Sequence, residues 1–253
     1  MKVCFSGFDN PICINKGRIT TLQISNQRLF ARICHSLLSG KGENALEPYT
    51  LWNDNDEALP PQTTFIPIVD PFDLPIKHRS LGGKIPSKLY CEMLRDEDMR
   101  LDLQNHHAKI GSAINTLSMQ FNANYAFALE WDLARYLKAF DFKLDISDDA
   151  SLLDNLINFI DLGADMAIDE VLLFINLKTF LTKNELQQFI ERVFFHEIKV
   201  LLLENHHAII YDDLESKTTV DQHFIEYSSI YQSDCSPSSQ GRICSNGFGA
   251  VTF

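Results

Sequence analysis

An α/β fold, built on a mostly parallel sheet with an appended α-helical lobe, is predicted by three features of the sequence. Continuous apolar runs of strand length stand at Val171–Ile175 and Val200–Leu203. Segments with apolar residues at helical spacing alternate with them. A long stretch from about Pro86 to Phe140 has helical spacing and no strand signal. Uninterrupted apolar runs are what strands covered on both faces require, and helices between them imply parallel crossovers.

Taken in order, residues 1–24 alternate apolar and polar at Val3, Phe5, Ile12, Ile14, Ile19, Leu22 and Ile24, with turn residues Asp9, Asn10, Pro11 and Gly17 between. They read as two or three short strands. Ser25 is the expected N-cap of a first helix, whose apolar face is Leu29, Phe30, Ile33, Cys34, Leu37 and Leu38 and which Gly40 closes. Short strands are expected at Tyr49–Trp52 and at 65–69. In the helical lobe, Leu89, Met93, Ile110, Ile114, Leu117 and Phe121 recur at helical intervals. One rod over 87–120 would span on the order of 50 Å, unless the charged stretch Arg95–Arg100 interrupts it. A second lobe helix is expected over roughly 125–140. The chain then reads as strand 141–146, helix 149–162, strand 171–176, helix 183–195 and strand 199–205, with edge strands at 208–212 and 223–227. Thr182 and Glu185 form a capping box that fixes the start of the fourth of these elements. The expected organisation is a head of residues 1–75 and 141–228, a helical leg of residues 76–140, and a flexible tail over 229–253.

The composition bounds what the chain can do. With 253 residues, 45% of them hydrophobic, it can bury a substantial core, and no apolar run approaches membrane-spanning length. No export signal is read at the N-terminus, and the expected location is cytoplasmic, with the six cysteines reduced. The formal charge of -12 argues against nucleic-acid binding over the whole surface. Any such contact needs a local basic patch.

A phosphate-binding loop is the first thing to seek on a parallel sheet, and the pattern G-x-x-x-x-G-K-[ST] is missing. The enzymatic alternative is a metal-dependent nuclease or nucleotide hydrolase built on Glu204, His206 and His207 at a strand end, with Asp212 and Asp213 nearby. Adjacent histidines on an extended chain point to opposite sides, which speaks against one shared metal. The basic stretch LPIKHRSLGGKIPSKLYC at 74–91 carries Lys77, Arg79, Lys84 and Lys88 and no acidic residue. Two readings fit it equally: a solvated loop, or a strip that meets DNA phosphates, with Gly82 and Gly83 letting backbone amides approach.

The opening MKVCFSGFDNPICINKGRI, the block VLLFINLKTFLTKNELQQF at 171–189 and the following KVLLLENHHAIIYDD resemble the Csn-two accessory proteins of type II-A CRISPR loci. The most specific part is an apolar strand, an Asn, a polar link and F-L-T-K-x-E-[LV], here FINLKTFLTKNEL. The resemblance implies a head like a degenerate P-loop nucleotide-hydrolase fold lacking the phosphate loop. It implies a non-catalytic homotetramer that rings the ends of double-stranded DNA during spacer acquisition, beside the CRISPR integrase and the RNA-guided nuclease. Lys88 falls where the family has a lysine early in the leg helix. The resemblance also implies calcium, although the family's acidic run is replaced here by Gln120, Asn122 and Asn124, and only Glu130 matches an acidic position.

Overall fold

The computed structural model describes residues 1–123, 125, 130–146, 149–206 and 214–229. In chain order the elements are β1 (Lys2–Phe5), β2 (Ile12–Cys13), β3 (Ile19–Ile24), α1 (Gln27–Ser39), β4 (Tyr49–Trp52), α2 (Pro61–Thr64) and β5 (Phe65–Ile68). There follow α3 (Ile85–Arg95), α4 (Glu97–Ser118), α5 (Leu133–Ala139), α6 (Leu152–Asp165), β6 (Val171–Ile175), α7 (Lys183–Phe195), β7 (Val200–Glu204), β8 (Glu215–Val220) and β9 (Glu226–Ser229).

Six strands form the main sheet in the order β5-β6-β7-β3-β8-β9, parallel throughout except for the last pair. The two-residue period of a strand explains the continuous apolar runs. Leu172, Phe174, Val200 and Leu202 face α6 and α7, where Phe159, Phe189 and Val193 complete one core. Their neighbours Leu173, Leu201 and Leu203 face Phe30, Ile33 and Leu37 of α1, together with Val3, Tyr49 and Leu51. These last three belong to a small antiparallel sheet of order β2-β1-β4.

Several elements begin where their caps dictate. Asn26, and not Ser25, caps α1, accepting from the amides of Arg28 and Leu29, and Gly40 ends it in the left-handed conformation. The reciprocal capping box of Thr182 and Glu185 opens α7. The leg is not one rod. Asp96 adopts an extended conformation between α3 and α4, and its carboxylate accepts from the amide of Met99 to start the second helix. The next helix is shorter than the 125–140 expected: α5 starts only after Asp132, which caps it.

Two strand expectations are corrected. Residues 142–146 form no strand, although they alternate as one. Asp141 lies in the left-handed region and the Phe142 amide donates to Leu137 O, so the segment is folded back on α5. Leu144 and Ile146 still pack against the core, without a ladder partner. Conversely, β8 is a strand that the sequence did not announce. Its residues ESKTTV are mostly polar, and it is placed between β3 and β9 by its pairing alone. The strand expected over 223–227 is instead the Asp221–Ile225 turn running into β9. The strand expected at 208–212 and the tail beyond Ser229 lie outside the described residues. Cys4, Cys34 and Cys91 carry free thiols, whereas Cys13 is disulfide-bonded, which corrects the expectation of a reduced thiol there.

Candidate nucleic-acid interface

The basic stretch between β5 and α3 is a tightly tied loop. Leu74 and Leu81 are buried in the core, and Ile76 and Ile85 pack against it, so four apolar residues spaced along the stretch anchor the chain to the head. Lys77, Arg79, Lys84 and Lys88 are left exposed. Among the described residues none of the four has an ion-pair partner.

Hydrogen bonds close the loop on itself. The Gly82 amide donates to Ile76 O at 2.9 Å, and the amides of Leu81 and Gly83 donate to His78 O at 2.9 and 3.3 Å. A Cβ at position 82 would lie 2.3 Å from Ile76 O and 3.7 Å from Lys77 Cα. The glycine is therefore required by a backbone contact within the protein. This corrects the expectation that the Gly82 and Gly83 amides are open to phosphates, because both are already spent.

The closure brings Lys77 beside the residue that precedes Gly83 and Lys84. Lys84 immediately precedes α3 and Lys88 lies four residues on, so the two project from the same face of the helix. Ser80, buried, donates its hydroxyl proton to the Glu170 carboxylate at the start of β6. Burial pushes the Glu170 carboxyl up, but the Ser80 hydroxyl, backbone amides and the Lys84 charge outweigh it and hold the group below its ordinary value. On the leg side, the Lys143 ammonium and, more weakly, the Lys77 charge hold the Asp141 carboxyl low. Sequence reading did not single out Ser80, Glu170 or Lys143, and a serine preceding a buried leucine gives no signal of a partner so distant in the chain.

A family model described as CRISPR-associated protein (Cas_Csn2) matches residues 44–223, which include the loop, the leg and strands β4 to β8. The chain belongs to the Cas_Csn2 family. A relative described as CRISPR-associated protein Csn2, from Enterococcus faecalis, is 24% identical over 207 residues, covering 81% of this chain and 90% of that protein. The crystal structure of Stu0660 of Streptococcus thermophilus has a similar fold: the TM-score is 0.50 at 15% identity, over 87% of this chain and 74% of the other.

The rest of the chain bears on metal and nucleotide chemistry. Among the described residues no three His, Cys, Asp or Glu side chains could hold a metal ion. Glu130 shares a cavity with Asp132, whose carboxylate already accepts from the Arg135 amide and pairs with its guanidinium. Calcium takes six to eight oxygens, and the described residues around Glu130 do not make such a set.

Glu204 ends β7 as expected but is 1% exposed. It accepts from the Lys178 amide at 3.0 Å, and burial pushes its carboxyl up to about 7, against the opposing pull of Lys178. Glu215 and Lys217 of β8 are buried beside it, and Lys178 pairs with Glu215. His206 is exposed. His207, Asp212 and Asp213 lie outside the described residues. His107 is half-buried against Trp131, with ring centroids 5.4 Å apart.

Proposed function

We propose that this Csn2-family chain is a non-catalytic, ring-forming homotetramer that binds the ends of double-stranded DNA and assists spacer acquisition in a type II-A CRISPR system. It would work in the cytoplasm beside the CRISPR integrase and the RNA-guided nuclease. The observation that carries this reading is the placement of Lys77, Arg79, Lys84 and Lys88, all exposed and without ion-pair partners among the described residues, on a chain of formal charge -12. Four uncommitted cations on a loop fixed by its own hydrogen bonds suit contact with a phosphate backbone, and contacts of that kind position DNA without reading its sequence.

The head is read as a nucleotide-hydrolase fold without the phosphate loop. The link from β3 to α1 is only Ser25 and Asn26, and Asn26 uses its side chain to cap the helix. Glu204, the residue best placed for a metal-assisted reaction, is enclosed beside Lys178 and held partly neutral by burial.

The test is a mobility-shift titration of the purified chain on linear duplex DNA. If 6 to 10 phosphates are contacted, affinity falls by roughly 10³ to 10⁵ between 50 and 200 mM salt. The double substitution Lys84→Glu/Lys88→Glu weakens every duplex sequence alike. Salt-insensitive binding, or a loss confined to some sequences, contradicts the proposal. So does turnover of DNA or ATP in magnesium that Glu204→Gln abolishes.

A further inference from the structure

The chain passes between the sheet and helices α3 to α5 twice, outward through the basic strip and back through the turn at 138–143. Helix α3 packs on α5. Ile76 and Ile85 of the strip pack against the same core cluster as Leu144 and Ile146, which follow the turn. The two crossings are therefore neighbours on the surface. Backbone hydrogen bonds tie the turn as they tie the strip: the Phe142 amide donates to Leu137 O at 2.9 Å and the Asp141 amide to Lys138 O at 3.3 Å.

Asp141 meets cations from both crossings. Its carboxylate pairs with the Lys143 ammonium at 2.6 Å, and the two side chains are 82% and 70% exposed. Lys143 foremost, and Lys77 of the strip more weakly, hold the carboxyl below its ordinary value. Asp145 acts on Lys143 as well, less than Asp141 does. An oxyanion held by lysines in open water marks a place that a phosphate oxygen, with the same charge and the same capacity to accept hydrogen bonds, can take. So exposed an ion pair contributes little to stability, so its exchange for a phosphate costs little. Asp141 lies at φ 50°, in the left-handed region, which aspartate and asparagine tolerate better than most side chains. Asparagine can therefore replace it without moving the turn.

We propose that Lys143 is a fifth phosphate contact of the DNA-binding surface, beside Lys77, and that Asp141 is a competitor within the chain whose place a duplex phosphate takes. This contact rests on the DNA-binding reading above and deepens it. The cationic surface continues from the strip onto the returning chain, and a carboxylate of the same chain holds its affinity down.

Asp56 supplies a matched control. It too is left-handed, at φ 58°, its amide donates to the carbonyl three residues before, and its carboxylate pairs with a lysine, Lys2, at 3.3 Å. It follows β4, whose sheet packs on the α1 side of the main sheet, whereas the strip packs on the side of α6 and α7. The parent chain, Asp141→Asn, Asp56→Asn, Lys143→Gln and the double variant Asp141→Asn/Lys143→Gln are titrated on a linear duplex by fluorescence anisotropy between 50 and 200 mM salt. Asp141→Asn should bind roughly threefold to fivefold tighter at 50 mM salt, with its melting temperature unchanged, and Asp56→Asn should bind as the parent does. Lys143→Gln should weaken binding and make the dependence of log affinity on log salt shallower by about one. In its background Asp141→Asn should lose most of its gain. Equal gains from Asp141→Asn and Asp56→Asn, or a gain that survives in full without Lys143, would overturn the contact while the DNA reading stands. So would a Lys143→Gln protein that binds with the parent's affinity and salt dependence. Should neither the parent nor any variant bind duplex at 50 mM salt, the contact and the DNA reading fall together.

Discussion

The Lys178 ammonium and the Glu215 carboxylate form an ion pair almost wholly shut off from water, with side-chain exposures of 3% and 0%. Lys178 sits in the turn after the carboxyl end of β6 and Glu215 opens β8 at its amino end, so the pair bridges over β7 and β3 along one face of the parallel sheet. Glu204 and Lys217 stand beside it, two acids with two bases, on the face shared with α6 and α7.

Removing one partner of such a pair leaves a buried charge without compensation, at a typical cost of about 3–5 kcal/mol. Glu215→Ala should destabilise the fold by that order in urea denaturation. Lys178→Met with Glu215→Leu, which removes both charges, should recover most of the loss. Equal losses in the single and double variants would show that the pair is not what holds β8 in place.

Glu204 makes stability depend on pH. Its carboxyl is raised from 4.5 to about 7, chiefly by burial. The folded chain therefore keeps a proton that the unfolded chain has released within that window. Stability conferred by this group is complete below about pH 4.5, declines as the pH climbs to about 7 and is flat above. Glu204→Gln should abolish the decline. At pH 8 the variant should be the more stable by up to about 3 kcal/mol, and at pH 4 the two should match. Melting temperatures across pH 4–8 decide it.

Gly82→Ala forces a methyl group onto the Ile76 carbonyl, 2.3 Å away. The loop must open to relieve the contact, which also breaks the Gly82 to Ile76 hydrogen bond. Lower duplex affinity together with a lower melting temperature is expected. Lys84→Glu/Lys88→Glu should differ by losing affinity at an unchanged melting temperature, since both side chains are exposed. A Gly82→Ala protein that melts and binds as the parent does would remove the case for a pre-formed loop.

On α4, Ile110, Ile114 and Leu117 lie at i, i+4 and i+7, followed by Phe121 one turn beyond, and all four are exposed. A ring of identical chains is the proposed cover for this stripe. Ile114→Asp with Leu117→Asp should lower the solution mass, measured by light scattering, without lowering the melting temperature of the head. An unchanged mass would place the self-association surface elsewhere.

The fold was legible wherever a local pattern decided it. Val171–Ile175, Val200–Glu204, α1 and α7 each carry a hydrophobic period and caps within their own residues. The same logic failed at 142–146, where Leu144 and Ile146 meet the core without entering a ladder. It failed again at β8, whose polar residues are acceptable inside only because Lys178 and Glu204 arrive from β6 and β7 to meet them. In the candidate interface the four cations could be read directly from the sequence, since charge belongs to the residue itself. That the Gly82 amide serves Ile76, or that Trp131 packs against Tyr136 and His107, could not be read.

By itself the sequence determined the α/β class, the helical leg, the basic strip and the family resemblance, because each follows from residue type and short-range spacing. Only the tertiary structure decided which polar residues are buried, which amides are already bonded and which aromatic rings share a cavity. Burial and pairing are properties of residues far apart along the chain, fixed when strands and helices from different segments pack together.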